Sequence, residues 1–386
     1  MAAVAVRVVC VVGARPNFMK IAPVLKALSS KSLFEVKLVH TGQHYDHALS
    51  EVFFADLAIP RPDQELEVGS TSHAVQTAET MKRFEKTLER QQPRLVIVVG
   101  DVNSTLACAL TAVKFDLQVP FAWDGKLRQR PVVAHVEAGL RSFDPDMPEE
   151  INRRLTDTIA DLLFVSEQAG LDNLRIEGVP EKRIHFVGNV MIDTLIAAKE
   201  RAMRSTILEQ LGLQDRRYLL LTLHRPANVD RADTLFELLA VLDEIAIATT
   251  MPIVFPVHPR TRTRLDTASV VLDQHRFVRI DPLGYVDFLR AMASAHTVFT
   301  DSGGIQEETT VLGIPCLTLR DTTERPVTVQ EGTNTLAGTR REPILDAFWR
   351  SFRKSPGSSR IPHLWDGRAA ERIAAILADT FASDRV

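Results

Sequence analysis

A chain of 386 residues is long for a single core and suits two domains of ordinary size. Its 45% hydrophobic and 25% charged residues make a soluble composition, and a formal net charge of -3 offers no basic field for nucleic acid, so any anion has to be bound by local groups. Three scattered cysteines, Cys10, Cys108 and Cys316, sit in apolar runs without metal spacing and read as small core residues of a reducing, cytoplasmic compartment.

The N-terminal run Val4 to Val12 is interrupted by Arg7 and ends in Gly13-Ala14-Arg15-Pro16 without a small-x-small cleavage site. It reads as a first strand, and neither a signal peptide nor a membrane span is visible. Short Val/Ile/Leu runs then alternate with longer amphipathic segments, the mark of a parallel sheet covered by helices on both faces. Strands are expected at Val6–Val12, Val36–Thr41, Leu95–Val99, Val132–Val136, Leu162–Val165 and Ile184–Val187. Helical patterns lie between them at Phe18–Ser29, Val75–Gln91 and Ser104–Phe115, the last opened by an Asn103-Ser104-Thr105 cap signal. From about Gly188 the alternation restarts, with strands at Tyr218–Leu223, Ile253–Val257, Phe277–Ile280, Val298–Thr300 and Cys316–Leu319 and helices at Thr234–Ala246, Tyr285–Ala295 and Ile305–Leu312. The expected fold class is α/β, two doubly wound Rossmann-like domains over 1–188 and 189–366. After a linker-like stretch from Lys354 to Arg360, a last helix within 367–386 packs back on the first domain.

In open parallel sheets ligands bind beyond the carboxyl ends of the strands. Polar residues recur at those places: Arg15 and Lys20, Gln43 and His44, Asp101, Glu137 and Arg141, His224-Arg225, His258, then Ser302-Gly303-Gly304. A surface polar residue explains any one of them, but the series points to one cleft between two domains. The stretch Val298 to Glu308 reads as a buried strand, a glycine turn and a helix start, where missing Cβ atoms and unpaired N–H groups suit a diphosphate. Glu308, about one turn into the helix, can accept from ribose hydroxyls. An ordinary strand-turn-helix joint has the same local sequence, so this stretch gains weight only from the rest of the chain. His40, His44 and His47 lack a companion Cys or Asp cluster, which speaks against a metal site. Glu149 and Glu150 follow Pro148 at a helix start; adjacent helical residues diverge, so at most one of them enters a cleft.

Taken together, Gly13-Ala14-Arg15-Pro16-Asn17, Thr41-Gly42-Gln43-His44-Tyr45-Asp46, Val99-Gly100-Asp101, His135-Val136-Glu137-Ala138-Gly139-Leu140-Arg141, Pro148-Glu149-Glu150, Asn152-Arg153, His224-Arg225, Ser302 to Glu308 and Arg320 to Pro326 resemble the UDP-N-acetylglucosamine 2-epimerases over nearly the whole chain. The resemblance implies a glycosyltransferase-B-type fold, with UDP held mainly by the second domain and the sugar facing carboxylates of the first. It implies reversible conversion of UDP-N-acetylglucosamine to UDP-N-acetylmannosamine, supplying N-acetylmannosamine units for surface polysaccharide, with no cofactor, no membrane partner and a homodimer. By the same resemblance Asp101, Glu137 and Glu149 are acid/base carboxylates, and which of them removes the proton stays open. His224, counted with the catalytic groups, stabilises the leaving diphosphate or positions the substrate, as do Arg15, Lys20, Arg141 and Arg153. Ser302, Gly303 and Gly304 form the phosphate loop, Glu308 pairs with ribose, and Arg325 belongs to the nucleotide site.

The sugar C2 proton lies beside an amide nitrogen and no carbonyl, so a simple base cannot epimerise it. Oxidation at C3 would need a nicotinamide, and no Gly-x-Gly-x-x-Gly follows any strand. Expulsion of UDP from C1 as a base takes the C2 proton needs diphosphate-binding groups and at least two acid/base groups, and the resemblance implies this route. Gln43 and His44 resemble the non-hydrolysing branch, implying a second UDP-N-acetylglucosamine as activator. The alternatives are a hydrolysing 2-epimerase releasing N-acetylmannosamine, a glycosyltransferase of the same fold, and a non-catalytic sensor. Two departures stand out. An insert from Phe121 to Pro131 enters at the amino end of a strand and is expected as a surface loop, and Ala227 stands where many relatives carry Glu.

Overall fold

The computed structural model describes residues 5–42, 56, 59–267, 272–353 and 360–383, apart from the Arg15 and Ser383 side chains. Gln43 and His44 lie outside the described residues. The chain divides into two compact units, Met1–Ile196 with His363–Val386, and Ala197–Pro362.

In the first unit the strands β1 (Val6–Val12), β2 (Phe34–His40), β3 (Gln64–Glu65), β4 (Leu95–Val99), β7 (Val132–Ala138), β8 (Leu162–Val165) and β9 (Ile184–Phe186) form one sheet in the order β3-β2-β1-β4-β7-β8-β9. Every pairing is parallel. All of Leu95–Val99 and Val132–Ala138 is buried, as expected of strands with helices on both faces. Strand order reverses between β1 and β4, and the residues following these two neighbours converge there.

Between β4 and β7 the insert forms a small antiparallel hairpin of its own, β5 (Phe121–Trp123) and β6 (Lys126–Arg128). Asp124 and Gly125 both take positive φ (51° and 70°), the two-residue turn whose twist suits a hairpin. Arg128 and Arg130 both pair with Asp161, and the Phe121 and Trp123 rings meet Phe381 at 6.4 and 5.1 Å. The expected surface loop is thus an ordered ribbon packed on the last helix.

That helix, Ala369–Ser383, lies against the helix Arg15–Ser29, burying Ile373, Leu377 and Phe381 in the core of the first sheet. Asp193 caps it, accepting from the Ala369 and Ala370 N–H groups at 3.1 and 2.7 Å. The first unit therefore extends to Ile196, beyond Gly188, because Asp193 and Thr194, whose hydroxyl donates to the Met19 carbonyl at 2.5 Å, are bonded into it.

In the second unit β10 (Leu219–Thr222), β11 (Ile253–Pro256), β12 (Phe277–Ile280), β13 (Thr297–Thr300), β14 (Cys316–Thr318) and β15 (Asn334–Leu336) form a parallel sheet ordered β12-β11-β10-β13-β14-β15. Its reversal falls between β10 and β13, which places His224 and Asp301 side by side at the carboxyl ends of adjacent strands.

Candidate active site

At the reversal point of the first sheet the Lys20 ammonium is ion-paired with Glu137, both almost wholly buried. Glu137 has φ +71°, a region a side chain adopts at a cost of about 1–3 kcal/mol and which recurs at functional sites. The strand is bulged there, with register shifting between Val136 and Ala138. Gly100, at φ +67°, leaves room for the pair: a Cβ there would lie 3.0 Å from Lys20 Nζ, 3.1 Å from Asn17 Nδ2 and 3.6 Å from Glu137 Oε2. Asn17 fixes the turn after β1 by accepting from the Ala14 N–H at 3.0 Å and donating to the Val99 carbonyl at 3.1 Å.

Asp101 pairs with Arg153, whose Nε lies 2.9 Å from Asp101 Oδ2. Arg153 also donates to Glu150 at 2.5 Å, and Glu150 accepts from the Ser142 N–H and hydroxyl at 2.8 and 3.0 Å. Of the two adjacent glutamates, Glu150 is the buried one and holds the loop at Ser142; Glu149, half-buried on the first turn of Pro148–Ile159, has no hydrogen-bond partner among the described residues. The Asn103 cap signal has a different outcome. Val102 is the N-cap, and Asn103 Nδ2 instead donates to Gln76 Oε1 at 2.7 Å.

Arg141 is apart from this cluster. Its guanidinium makes a two-pronged pair with Glu177 at 2.9 and 2.7 Å and meets Asp157 at 2.8 Å, so it faces internal carboxylates. Burial pushes the Asp157 carboxyl up, but hydrogen bonds and charge from His135 and Arg141 outweigh this and hold it below the usual carboxylate range.

In the second unit His224 Nδ1 lies 2.8 Å from Asp301 Oδ1. Asp301 also accepts from the N–H groups of His224 and Arg225 at 3.0 and 2.9 Å. Burial would raise its carboxyl; the imidazole and the two N–H groups win and lower it. The His224 ring is 40% exposed, so its far edge is open to a ligand. The helix Gly303–Leu312 begins at the glycines, with Ser302 as an extended N-cap and no side-chain cap, leaving its first N–H groups without intrahelical acceptors. Gly303 has a second reason to lack a Cβ, which would sit 2.6 Å from Glu324 Oε1. Glu324 in turn pairs with Arg320 and Arg225 at 2.8 and 3.4 Å. Gln306, wholly buried, accepts from Thr323 and Asn334 and so ties the loop 319–326 to this helix.

Glu308 accepts from the Tyr285 hydroxyl at 2.8 Å and is 3% exposed. Burial pushes its carboxyl up to about 8, the Tyr285 hydrogen bond opposing and the Glu307 charge adding. Arg325 is turned inward on Glu307 at 2.5 Å.

The structure thus brings Lys20 and Glu137 together, joins Asp101 to Arg153, and sets His224 beside the Ser302-Gly303-Gly304 turn through Asp301. It separates Arg141, Glu308 and Arg325 into internal pairs. Asp157, Asp301 and Glu150 were missed as site residues; Asp301 adjoins the glycine turn in sequence, but its partner is 77 residues away.

The UDP-N-acetylglucosamine 2-epimerase family profile matches residues 26–378. The chain is 38% identical over 375 residues to the UDP-N-acetylglucosamine 2-epimerase of Methanocaldococcus jannaschii, covering 95% of this chain and 97% of that protein. It is also 38% identical over 374 residues to the UDP-2,3-diacetamido-2,3-dideoxy-D-glucuronate 2-epimerase of Pseudomonas aeruginosa, covering 96% and 99%. The crystal structure of the Methanocaldococcus jannaschii enzyme in complex with UDP-GlcNAc and UDP superposes with a TM-score of 0.88 at 36% identity, covering 97% of this chain and 99% of that one. A two-domain α/β fold with parallel sheets and a site at each sheet's reversal point is of the glycosyltransferase-B type. This chain belongs to the UDP-N-acetylglucosamine 2-epimerase family, whose members are isomerases.

Proposed function

We propose that this chain interconverts UDP-N-acetylglucosamine and UDP-N-acetylmannosamine by eliminating and re-adding UDP. The observation that carries the reading is Glu137, a buried carboxylate on strained backbone with Lys20 against it, at the reversal point of its sheet. A base takes the C2 proton while the C1–O bond breaks, its electrons leaving with the diphosphate; a C1–C2 double bond forms. A proton then returns to the opposite face of C2 and the diphosphate oxygen re-adds at C1. Asp101, Glu137 and Glu149 are the acid/base candidates, and Arg153 acts on Asp101 as its partner. Lys20, Arg15 and His224 serve the departing diphosphate with the N–H groups of Gly303 and Gly304, and Ser302 completes that loop. Arg141 positions the substrate or stabilises the leaving diphosphate, Glu308 pairs with the ribose, and Arg325 belongs to the nucleotide site.

Incubation with UDP-N-acetylglucosamine and identification of products by NMR tests this. UDP-N-acetylmannosamine should accumulate to an equilibrium mixture without stoichiometric free N-acetylmannosamine, whereas free sugar as the main product marks the hydrolysing reaction. A second reading rests on the equal 38% identity to the diacetamido-glucuronate enzyme. That substrate belongs in the same assay, and faster turnover of it would reassign the sugar.

Three finer points belong to the same proposal. A homodimer is supported by apolar residues exposed on the first unit, Phe143, Ile151 and Leu155; light scattering tests it. An activating second UDP-N-acetylglucosamine at Gln43 and His44 is supported by the sequence resemblance, and it should raise the rate of a reaction started from UDP-N-acetylmannosamine. A cytoplasmic location is supported by three buried free cysteines, and among the described residues no helix is long and apolar enough to cross a membrane.

A further inference from the structure

His135 shares a sequence motif with Glu137, yet the reaction as proposed gives it no part. It is fully buried on β7, two residues before Glu137. Each ring nitrogen meets an acceptor, Nδ1 at 2.7 Å from Asp157 Oδ1 and Nε2 at 2.7 Å from the Gly100 carbonyl. A carbonyl can only accept, so Nε2 donates to it, and Nδ1 is left to share the second hydrogen bond with the Asp157 carboxyl. The second oxygen of Asp157 accepts from the Gly139 N–H at 3.0 Å. One carboxylate therefore grips the chain on both sides of Glu137, at His135 and at Gly139, across the bulge that turns Glu137 to positive φ. Through the imidazole the same line reaches Gly100, the residue next to Asp101 and the one whose missing Cβ makes room for Lys20 and Glu137.

A core histidine satisfied by its neighbours would explain two hydrogen bonds but not where they land. One ends on the Gly100 carbonyl beside Asp101, and the other on Asp157, whose second oxygen holds the Gly139 N–H on the far side of Glu137. We propose that His135, held by Asp157, is a positioning residue that sets the spacing of Glu137 and Asp101. This rests on the epimerase reading above. Losing it leaves the carboxylates in place but misaligned, and a misplacement on the order of 1 Å costs about 100-fold in rate.

The test uses the full chain. His135→Ala should lower kcat about 100-fold, while KM and the calorimetric affinity for UDP, taken up by the other unit, stay within about twofold. His135→Gln, whose amide reaches the Nε2 position and the Gly100 carbonyl, should recover about tenfold of that loss. Near-normal kcat in folded His135→Ala, or kcat and KM moving together, overturns the proposal. A readout independent of turnover is the nitrogen-15 spectrum of the histidine-labelled wild type. One ring should show an Nε2 proton protected from exchange, and its absence contradicts the proposal even if no variant folds. Absence of 2-epimerase activity in the wild type would instead remove the epimerase reading and leave this spectrum to be judged by itself.

Discussion

The two units place polar groups at the same point of the same topology, yet they hold them differently. In the first, Glu137 (φ +71°) and Phe143 (φ +57°) bracket a segment that also turns through Gly139 (φ +84°), and the buried carboxylates Glu137, Glu150 and Asp157 each have a cation or N–H partner. In the second, the turn at Ser302-Gly303-Gly304 follows ordinary backbone, and among the described residues the positive-φ side chains there, Arg216 and Thr250, lie on other loops. Proton transfer at carbon tolerates little error in position, whereas a diphosphate is held by dipoles and N–H groups whose effect falls off gradually. Among the described residues, strain thus falls at the candidate site only in the unit assigned the chemistry, and a helix start suffices for the unit assigned the nucleotide.

If that division is right, the largest effect should come from the first unit without touching nucleotide binding. Glu137→Gln keeps shape but cannot shuttle a proton, so turnover should fall by roughly 100-fold or more with calorimetric UDP affinity nearly intact. Asp101→Asn and Glu149→Gln should behave alike, and near-normal turnover in all three would remove the carboxylate assignment. The converse variant is Gly303→Val, which brings side-chain atoms against Glu324 and the N–H groups of the helix start. UDP affinity should drop by one to two orders of magnitude, about 1.4 to 3 kcal/mol, and unchanged affinity in a folded protein would take the loop out of the site.

A smaller effect distinguishes the units by pH. Because the Glu308 carboxyl is raised to about 8, the folded state holds a proton that the unfolded chain releases near the ordinary value of 4.5. This group therefore makes stability fall as pH rises from about 4.5 to about 8, with no further change from it above that. Melting temperatures of wild type and Glu308→Gln should diverge in favour of the variant across this window; parallel curves would mean the carboxyl titrates normally. The smallest effect belongs to the hairpin. Gly125→Ala forces a side chain to φ +70° with nothing within 4 Å, so it should cost about 1 kcal/mol in denaturant unfolding and leave turnover unchanged. Lost turnover at unchanged stability would give the insert a role in the reaction.

The sheets were legible because parallel strands covered on both faces read as mostly apolar runs. Val6–Val12, Leu95–Val99, Leu162–Val165 and Phe277–Ile280 begin and end where the sequence places them. Gln64–Glu65 and Asn334–Leu336 are short and polar and carry no such signal, and the hairpin was passed over although Asp124-Gly125 is a strong two-residue turn. The helix expected from Ile305 begins at Gly303, since glycine weakens propensity without preventing a first turn. Within the site, residues following strands were visible one at a time, but their partners were not. Lys20 and Glu137 are 117 positions apart, and nothing local tells Arg153, which meets Asp101, from Arg141, which does not. Burial of Glu150 in place of Glu149 depends on which helix face meets the loop at Ser142, a tertiary fact.

The most direct test of the central claim is the fate of the C2 proton. In deuterated water, with no added cofactor, both UDP-sugars should acquire deuterium at C2 and at no other carbon, with traces of free UDP and the C1–C2 unsaturated sugar during long incubation. Glu137→Gln should slow that exchange in step with turnover. Epimerised product without deuterium at C2, or activity that depends on a nicotinamide, would contradict the account.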